Sequence, residues 1–517
     1  MKYFLGIDVG TSSLKTGLWR EDGELAANAS RPYPTVRLAP SWAEQDPLDW
    51  WRALTETVAQ VLNKSGVRPA EIAGIGVDSM GWTFVPVDKA GEPLYSALTW
   101  QDRRAKEEAA ALRAHPQADQ LVHLNANPLD EAYSTAKVQW LKQYHPDIYA
   151  GADQLLIASS FLVRKLTDVN TCDYTQAYAF HCFDEWNLRW DEAAADLIGL
   201  DLAKLPPLYQ SCAVVGEVTT RAAAELGLIA GIPVIAGGLD AAVGAFGNGV
   251  TRVGQTADQG GTAFGMSIAV DQVVVEPRLI FSPHVVPGLY LLQGGTVGGG
   301  TFEWFRAQLG QAEQLAAEIT SENVFSIMTA EAERAPAGAN GLIFLPYMSG
   351  ERSPIWDSDA RGVFIGLNFS TKRSDIIRAL MEGCALAVYH NMQVAEESGA
   401  PVLEWIGIGG GANSPSWCQL KADITNRTFT VNRRANGEAG DNSLGVAVMA
   451  GYGVGHYGNL AQTIEQFLPR RQVYQPNPKN HAVYQELYPI YLNAYEPLKP
   501  TFTALAAFTQ KAKEQTS

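Results

Sequence analysis

The chain has 517 residues, 46% of them hydrophobic and 18% charged, with a formal net charge of −16. That length exceeds what one core holds, so two domains are expected. The acidity argues against a nucleic-acid or anionic-membrane surface and leaves room only for a local basic pocket. The five scattered cysteines (Cys172, Cys182, Cys212, Cys384, Cys418) form no CxxC pair, which disfavours zinc or a disulfide framework and favours a reducing cytoplasm.

The segment before Asp8 is too short for a signal-peptide core. No apolar run approaches the roughly 18 residues of a membrane span. Residues 3–8 and 14–20 read as strands around a loop, Asp8-Val9-Gly10-Thr11-Ser12-Ser13, and Glu21 to Glu24 is a hairpin turn into a third, weaker strand over 24–32. Gly10 permits close approach of a ligand to the main chain. Backbone N–H groups with Thr and Ser hydroxyls suit phosphate, and the carboxylate suits hydrated Mg²⁺. The same loop also reads as a plain hairpin turn.

Residues 47–64 carry apolar positions at helical spacing (Trp51, Leu54, Val58, Val61, Leu62), and Ile72 to Val77 is a buried strand ending at Asp78. Phe84 to Asp88 and the turn Lys89-Ala90-Gly91 follow, an alternation that indicates an α/β domain. In the middle, Pro233 to Ala236 is a strand ending in Gly237-Gly238-Leu239-Asp240, with a small-residue helix over 241–249. Gly254 to Gln259 then leads through Gly260-Gly261-Thr262 into a strand over 264–270. Strand, glycine–threonine turn and strand thus occur twice, a short internal duplication with a boundary near 245–255. Further on, 342–345 and 405–408 are strands, 374–396 is a helix, and Gly409 to Ser414 is a glycine-rich loop. An amphipathic helix starts near 480, and a polar tail over 510–517 is expected to fray.

Four strand-end loops share a small, polar character, and in open α/β sheets ligands collect beyond such ends. No GxxxxGK[ST] is present, so the usual P-loop is excluded. The GxGxxG match at Gly453 to Gly458 trails a helix-like stretch and no strand, so it is accidental. The eight histidines lack metal-ligand spacing, and no Gly-x-Ser-x-Gly elbow supports an esterase. His181 and Cys182 read as core or surface residues.

Several motifs in order then resemble the FGGY carbohydrate kinases of the actin and hexokinase superfamily, nearest to the xylulokinase-like branch. Asp8-x-Gly10-Thr11-x-Ser13-x-Lys15 resembles the first phosphate motif, and Gly261-Thr262 the second. Trp100-Gln-Asp102-Arg103-Arg104 resembles the Trp-x-Asp-x-Arg segment, and Tyr133 to Trp140, with Lys137, the first signature. Gly237-Gly-Leu-Asp240 resembles the catalytic Gly-Gly-x-Asp, Pro346 to Pro354 a xylulokinase segment, Gly362 to Gly366 with 377–382 the second signature, and Gly409 to Asn413 the adenosine motif.

The resemblance implies an α/β fold of two actin-like (ribonuclease H-like) domains around a central catalytic cleft. Residues 1–248 would bind sugar and the first phosphate; 249–517 would bind nucleotide and end in a helical segment. It implies ATP and Mg²⁺ as cofactors, with Asp8 on the metal and Gly10, Thr11, Ser13, Lys15, Gly261 and Thr262 around the phosphates. Gly410, Gly411 and Asn413 would line the adenine pocket. A sugar hydroxyl needs a carboxylate to accept its proton; Asp240 is that base, or else the cap of a helix beginning at Ala241. Asp78, Trp100, Asp102 and Arg103 are the sugar candidates, through directed hydrogen bonds and an aromatic face, while Arg104 reads as a surface cation.

Two departures bear on the substrate. Asp78-Ser79-Met80-Gly81-Trp82 stands where xylulokinases present Gln-Met-His, closer to kinases of deoxyketohexoses, and lacks the Arg-Glu pair of glycerol kinases. Glu438 to Gly445 replaces the usual Ala-Leu-Gly-Ala-Ala, with Asp441-Asn442-Ser443 as polar insertions. The expected protein is a cytoplasmic, ATP-dependent kinase of a ketose, a ketopentose first. The alternatives are a deoxyketohexose or polyol kinase, a sugar-independent nucleotide-binding protein, and a degenerate kinase serving as a sugar sensor. Its partner is a small sugar or polyol, with no nucleic acid and no membrane; a homodimer is left open.

Overall fold

The structure, a computed structural model, describes residues 1–39, 41–261 and 263–514. Tyr3–Val9 (β1), Ser13–Arg20 (β2) and Leu25–Pro32 (β3) form an antiparallel meander, as their apolar runs and the turn at Glu21 dictate. Helix Pro47–Ser65 (α1) is capped by the Asp46 side chain and stopped by Gly66 in the left-handed region; it buries Trp50, Leu54, Val58 and Val61. Ile72–Ser79 (β4) runs parallel to β1 with Asp78 directly beside Asp8.

A region inserted after β4 carries helix Ser134–Tyr144 (α2). Val214–Glu217 (β5) and Pro233–Ile235 (β6) complete a sheet ordered β5-β6-β4-β1-β2-β3, and Gly238–Leu239 (β7) pairs with the end of β4. Asp240–Gly247 (α3) begins where β7 ends.

The second half repeats this plan. Gln255–Gly260 (β8), Ala263–Val270 (β9), Ile280–Pro283 (β10) and Tyr290–Val297 (β11) pair antiparallel. After helix Arg373–Glu397 (α4), Glu404–Ile408 (β12) joins β8 in parallel. Helix Pro415–Thr425 (α5) leads to Phe429–Arg433 (β13), parallel to β12. The edge strand Arg470–Tyr474 (β14) comes after helix Asn442–Gly453 (α6) and gives the order β10-β11-β9-β8-β12-β13-β14. Each sheet therefore runs a meander into two parallel strands and an antiparallel edge, which extends the short sequence repeat to whole units. Helix Lys499–Glu514 extends into the polar tail, giving residues 510–514 a helical backbone.

One helix leaves its own sheet. The helix α6 packs on β1 and β4 of the first sheet and against α3. Small residues permit the approach: a Cβ on Gly6 would lie 2.0 Å from the Ser443 carbonyl oxygen, on Gly247 2.5 Å from that of Asp441, and on Gly445 2.7 Å from that of Val243. No side chain fits there without moving backbone. Gly6→Ala is expected to destabilise the protein by about 3 kcal/mol or more, read as a lower melting temperature; a variant melting with the wild type would refute the seam.

Candidate active site

The halves enclose a cleft of about 2050 Å³, lined by Gly10 to Ser13, Lys15, Trp100, Arg103 and Asp240 from the first half and by Gln259 to Gly261, Arg352, Gly409 and Asn442 from the second. The β1–β2 loop is braced from several sides. The Gly10 N–H donates to the Ser13 carbonyl at 3.1 Å, and the Tyr33 N–H to Ser12 at 3.2 Å. The Tyr33 hydroxyl donates to the Gly10 carbonyl. Gln45 Nε2 donates to the Thr11 carbonyl at 2.7 Å, and Trp100 Nε1 to Thr11 Oγ1 at 2.9 Å. A loop held this way presents its hydroxyls and N–H groups with little freedom left to lose on binding an anion.

On the opposite wall Gly261 lies in the cleft, while Thr262, expected beside it, falls outside the described residues. Gly260 approaches the Gly410–Asn413 turn so closely that a Cβ on it would meet Gly411 Cα at 3.2 Å. Gly409 enters that turn with φ 76° and ψ −165°, a backbone state that only glycine adopts readily. Arg433 then anchors the turn, donating to Asn413 Oδ1 at 3.1 Å and to the Ala412 carbonyl at 3.2 Å.

Carboxylates gather at the first sheet's strand ends. Asp8 is buried with Lys15 Nζ 3.6 Å away; burial pushes its pKa up, and Lys15 opposes this. Asp240 is the first residue of α3, not the cap before it. Its Oδ1 accepts the Ala241 N–H at 2.7 Å, and among the described residues its Oδ2 has no protein partner. Burial, reinforced by the Asp8 charge, raises its pKa to about 7. Among the described residues no group of three or more His, Cys, Asp or Glu is arranged to hold a metal ion.

The sugar candidates separate. Trp100 and Arg103 line the cleft, with Arg103 ion-paired to Asp130 at 2.6 Å. Asp102 does not: it is fully buried and accepts the Ala43 N–H at 2.6 Å and a fork from Arg104 Nε and Nη2. Arg104 is a buried residue rather than a surface cation. It also pairs with Glu44 at 2.7 Å and stacks on Trp42, whose centroid is 3.7 Å away. Asp78 is likewise fully buried, beneath the cleft beside Asp8, and accepts from Asn442 Nδ2 at 3.1 Å. The rest of its loop follows it inward: Met80 and Trp82 are buried, Trp82 with φ 52° against Tyr133.

Residues without an assigned role come forward instead. Arg352 lines the cleft and stacks on Trp100 at 5.0 Å; its backbone N–H donates to Glu351 Oε1 at 2.8 Å, while among the described residues its guanidinium makes no ion pair within 4 Å. The buried Lys137 donates to the carbonyls of Trp82 at 2.7 Å and Thr99 at 2.8 Å, tying two loops together. Both lie in motifs already noted, and that was their only signal. Asp102→Ala takes from the buried Arg104 one of its two carboxylate partners and leaves it on Glu44, and breaking a buried pair costs about 3–5 kcal/mol. A large loss in melting temperature is expected. Unchanged stability with a raised substrate KM would instead make Asp102 a substrate ligand.

Two family models match, the "FGGY family of carbohydrate kinases, N-terminal domain" over residues 3–247 and its "C-terminal domain" over 269–454. The chain is 29% identical to a xylulose kinase of Bacillus subtilis, over 98% of this chain and 99% of that one. Among solved structures it is similar to a xylulose kinase from Lactobacillus acidophilus, with TM-score 0.89, 27% identity, 98% of this chain and 100% of that one covered. It is also similar to a gluconate kinase from Lactobacillus acidophilus, with TM-score 0.88, 27% identity, and 98% and 99% covered. Among the described residues no helix is long and apolar enough to cross a membrane. With matching models spanning most of its length and the two-sheet cleft fold of its structural neighbours, the chain belongs to the FGGY family of carbohydrate kinases and is a sugar kinase.

Proposed function

We propose that this kinase transfers the γ-phosphoryl group of ATP to a terminal hydroxyl of a ketose, a ketopentose such as xylulose or ribulose first, with Asp240 as general base. The observation that carries it is Asp240 itself, in the cleft with a free oxygen and a pKa near the working pH. The names of the relatives in the preceding comparison support the ketopentose.

In this reading the acceptor hydroxyl gives its proton to Asp240 as its oxygen attacks phosphorus in line, and ADP leaves. Thr11 and Ser13 hold the phosphate from one side and Gly261 and Thr262 from the other. Gly410, Gly411 and Asn413 hold the adenosine. Residues 1–248 carry the sugar and first phosphate loop, and 249–517 the nucleotide. Positioning and charge neutralisation do most of the work in such a transfer. Asp8 fits a Mg²⁺ that keeps several waters, because it is a buried carboxylate whose nearest cation is the single Lys15 ammonium at 3.6 Å. When bound, Mg²⁺ offsets phosphate charge. Closure of the cleft excludes water that would otherwise take the phosphoryl group.

A second acceptor class, a sugar acid, is favoured by the Arg352 guanidinium in the cleft, which makes no ion pair among the described residues, and by the similarity to a gluconate kinase. An ADP-release panel of ketopentoses, ketohexoses, deoxyketoses, polyols and aldonates decides between them. The highest kcat/KM is expected on a ketopentose. An aldonate preference lost in Arg352→Ala supports the sugar acid instead, and ATP turnover indifferent to every acceptor sinks both.

Asp240→Asn should remove turnover while ATP binding persists; more than a few per cent residual activity refutes the base. A raised carboxylate pKa means that the deprotonated, basic form accumulates only as pH climbs through about 7. The kcat/KM profile, which reports free-enzyme groups, should therefore rise through about pH 7 rather than near 4. A profile flat from pH 5 to 8 would rule this out.

A further inference from the structure

The two departures from the family pattern, Asp78 and the Asp441-Asn442-Ser443 segment, touch. Asn442 Nδ2 donates to Asp78 Oδ2 at 3.1 Å and to the Asp240 carbonyl at 3.2 Å, although Asn442 lies 364 residues beyond Asp78. An amide NH₂ carries two protons, one for each acceptor. The opposite amide orientation would set an acceptor oxygen against a carboxylate and a carbonyl, so the network fixes which way the amide faces. Its Oδ1 fits only because position 244 is glycine, where a Cβ would come within 2.6 Å.

Asn442 is itself held from behind. It is the first residue of α6, whose cap Asp441 accepts the Leu444 N–H at 2.9 Å and the Ser443 hydroxyl at 2.8 Å. Ser443 Oγ in turn accepts from Trp19 Nε1 of β2 at 3.1 Å. Arg433, the last residue of β13 and anchor of the Gly410–Asn413 turn, begins the connection that ends at Asn442. The base's backbone, the end of β4 and the chain leaving the nucleotide side thus meet on one amide.

We propose that Asn442 is a positioning residue for phosphoryl transfer: by joining Asp78 to the Asp240 carbonyl it holds the start of α3 in register with the loop at Thr11 to Ser13. It rests on the reading of Asp240 as the base. Asp78 serves as the acceptor that orients the amide and touches no substrate.

Steady-state kinetics of the full-length kinase with its best acceptor from the panel test this. Asn442→Ala is expected to lower kcat on the order of 10- to 100-fold, the cost of a small misplacement of a reacting group, with the KM for ATP within about twofold. Asp78→Ala should match it, and the double variant should be no worse than the poorer single one, since either removes the same link. Asp78→Asn keeps an acceptor oxygen and should recover activity to within about threefold of wild type. Additive losses, or Asn442→Ala with wild-type kcat, overturn the proposal. If Asn442→Ala fails to fold, equal activities of Asp78→Ala and Asp78→Asn overturn it. The base reading fails separately, through an active Asp240→Asn, which leaves the Asp78–Asn442 coupling measurable on its own.

Discussion

The cleft depends on backbone-to-backbone contact between α6 and the first sheet. Residues from the end of the chain lie against β1, β4 and α3 at distances that exclude even a methyl group at Gly6, Gly247 or Gly445. Contact at that range gains dispersion along its whole length and tolerates no repacking. The helix that starts with Asp240 is consequently wedged between the sheet that carries the Gly10 to Ser13 loop and a helix arriving from the second half of the chain. If Asp240 is the base, as proposed, it needs such a support, since side-chain freedom there lowers the rate directly.

The same seam concentrates negative charge. Asp8 and Asp78 stand at adjacent strand ends with Asp240 close by; burial raises the pKa of each, the Asp8 charge adds to it at Asp78 and Asp240, and the Asp441 charge adds to it at Asp8. Lys15 and the Asn442 amide are the groups set against them. A site left this electron-rich favours a ligand that brings a cation, which is what a nucleotide with its metal supplies. Lys137 makes the opposite case: burial lowers its pKa to about 7, yet two carbonyls hold it in the core. Its place in the signature is architectural, tying the Trp82 and Thr99 backbones, and the polar group survives burial because it is hydrogen-bonded.

The elements were legible where a local rule governs them. Apolar strands broken by Gly10 or Gly261, and the 47–64 spacing, follow from periodicity and turn chemistry. The duplication showed only as a glycine–threonine echo, because the repeated order of strands is carried by pairing and not by matching residues. Side-chain direction within a turn was not legible. Asp102 and Arg103 are neighbours, yet one faces inward to Arg104 and the other reaches the cleft. Arg104 read as a surface cation because the rings that cover it, Trp42 and Trp140, are distant in sequence. Asp78 suggested a sugar ligand since nothing near it announces Asn442.

What remains at the cleft surface for reading the acceptor comes from both halves at once. Trp100 belongs to the first half and donates to Thr11 of the β1–β2 loop; Arg352 belongs to the second and stacks on that same indole at 5.0 Å. A cation–π contact of this kind is worth about 0.5–2 kcal/mol, a modest tie between the two halves. On the proposed reading, an acceptor that engages either side chain acts on the contact between the halves and, through Thr11, on the loop proposed to hold the phosphate. Acceptor selectivity is therefore expected, on that reading, to change at Trp100 and Arg352 without disturbing Asp240, which α6 supports separately.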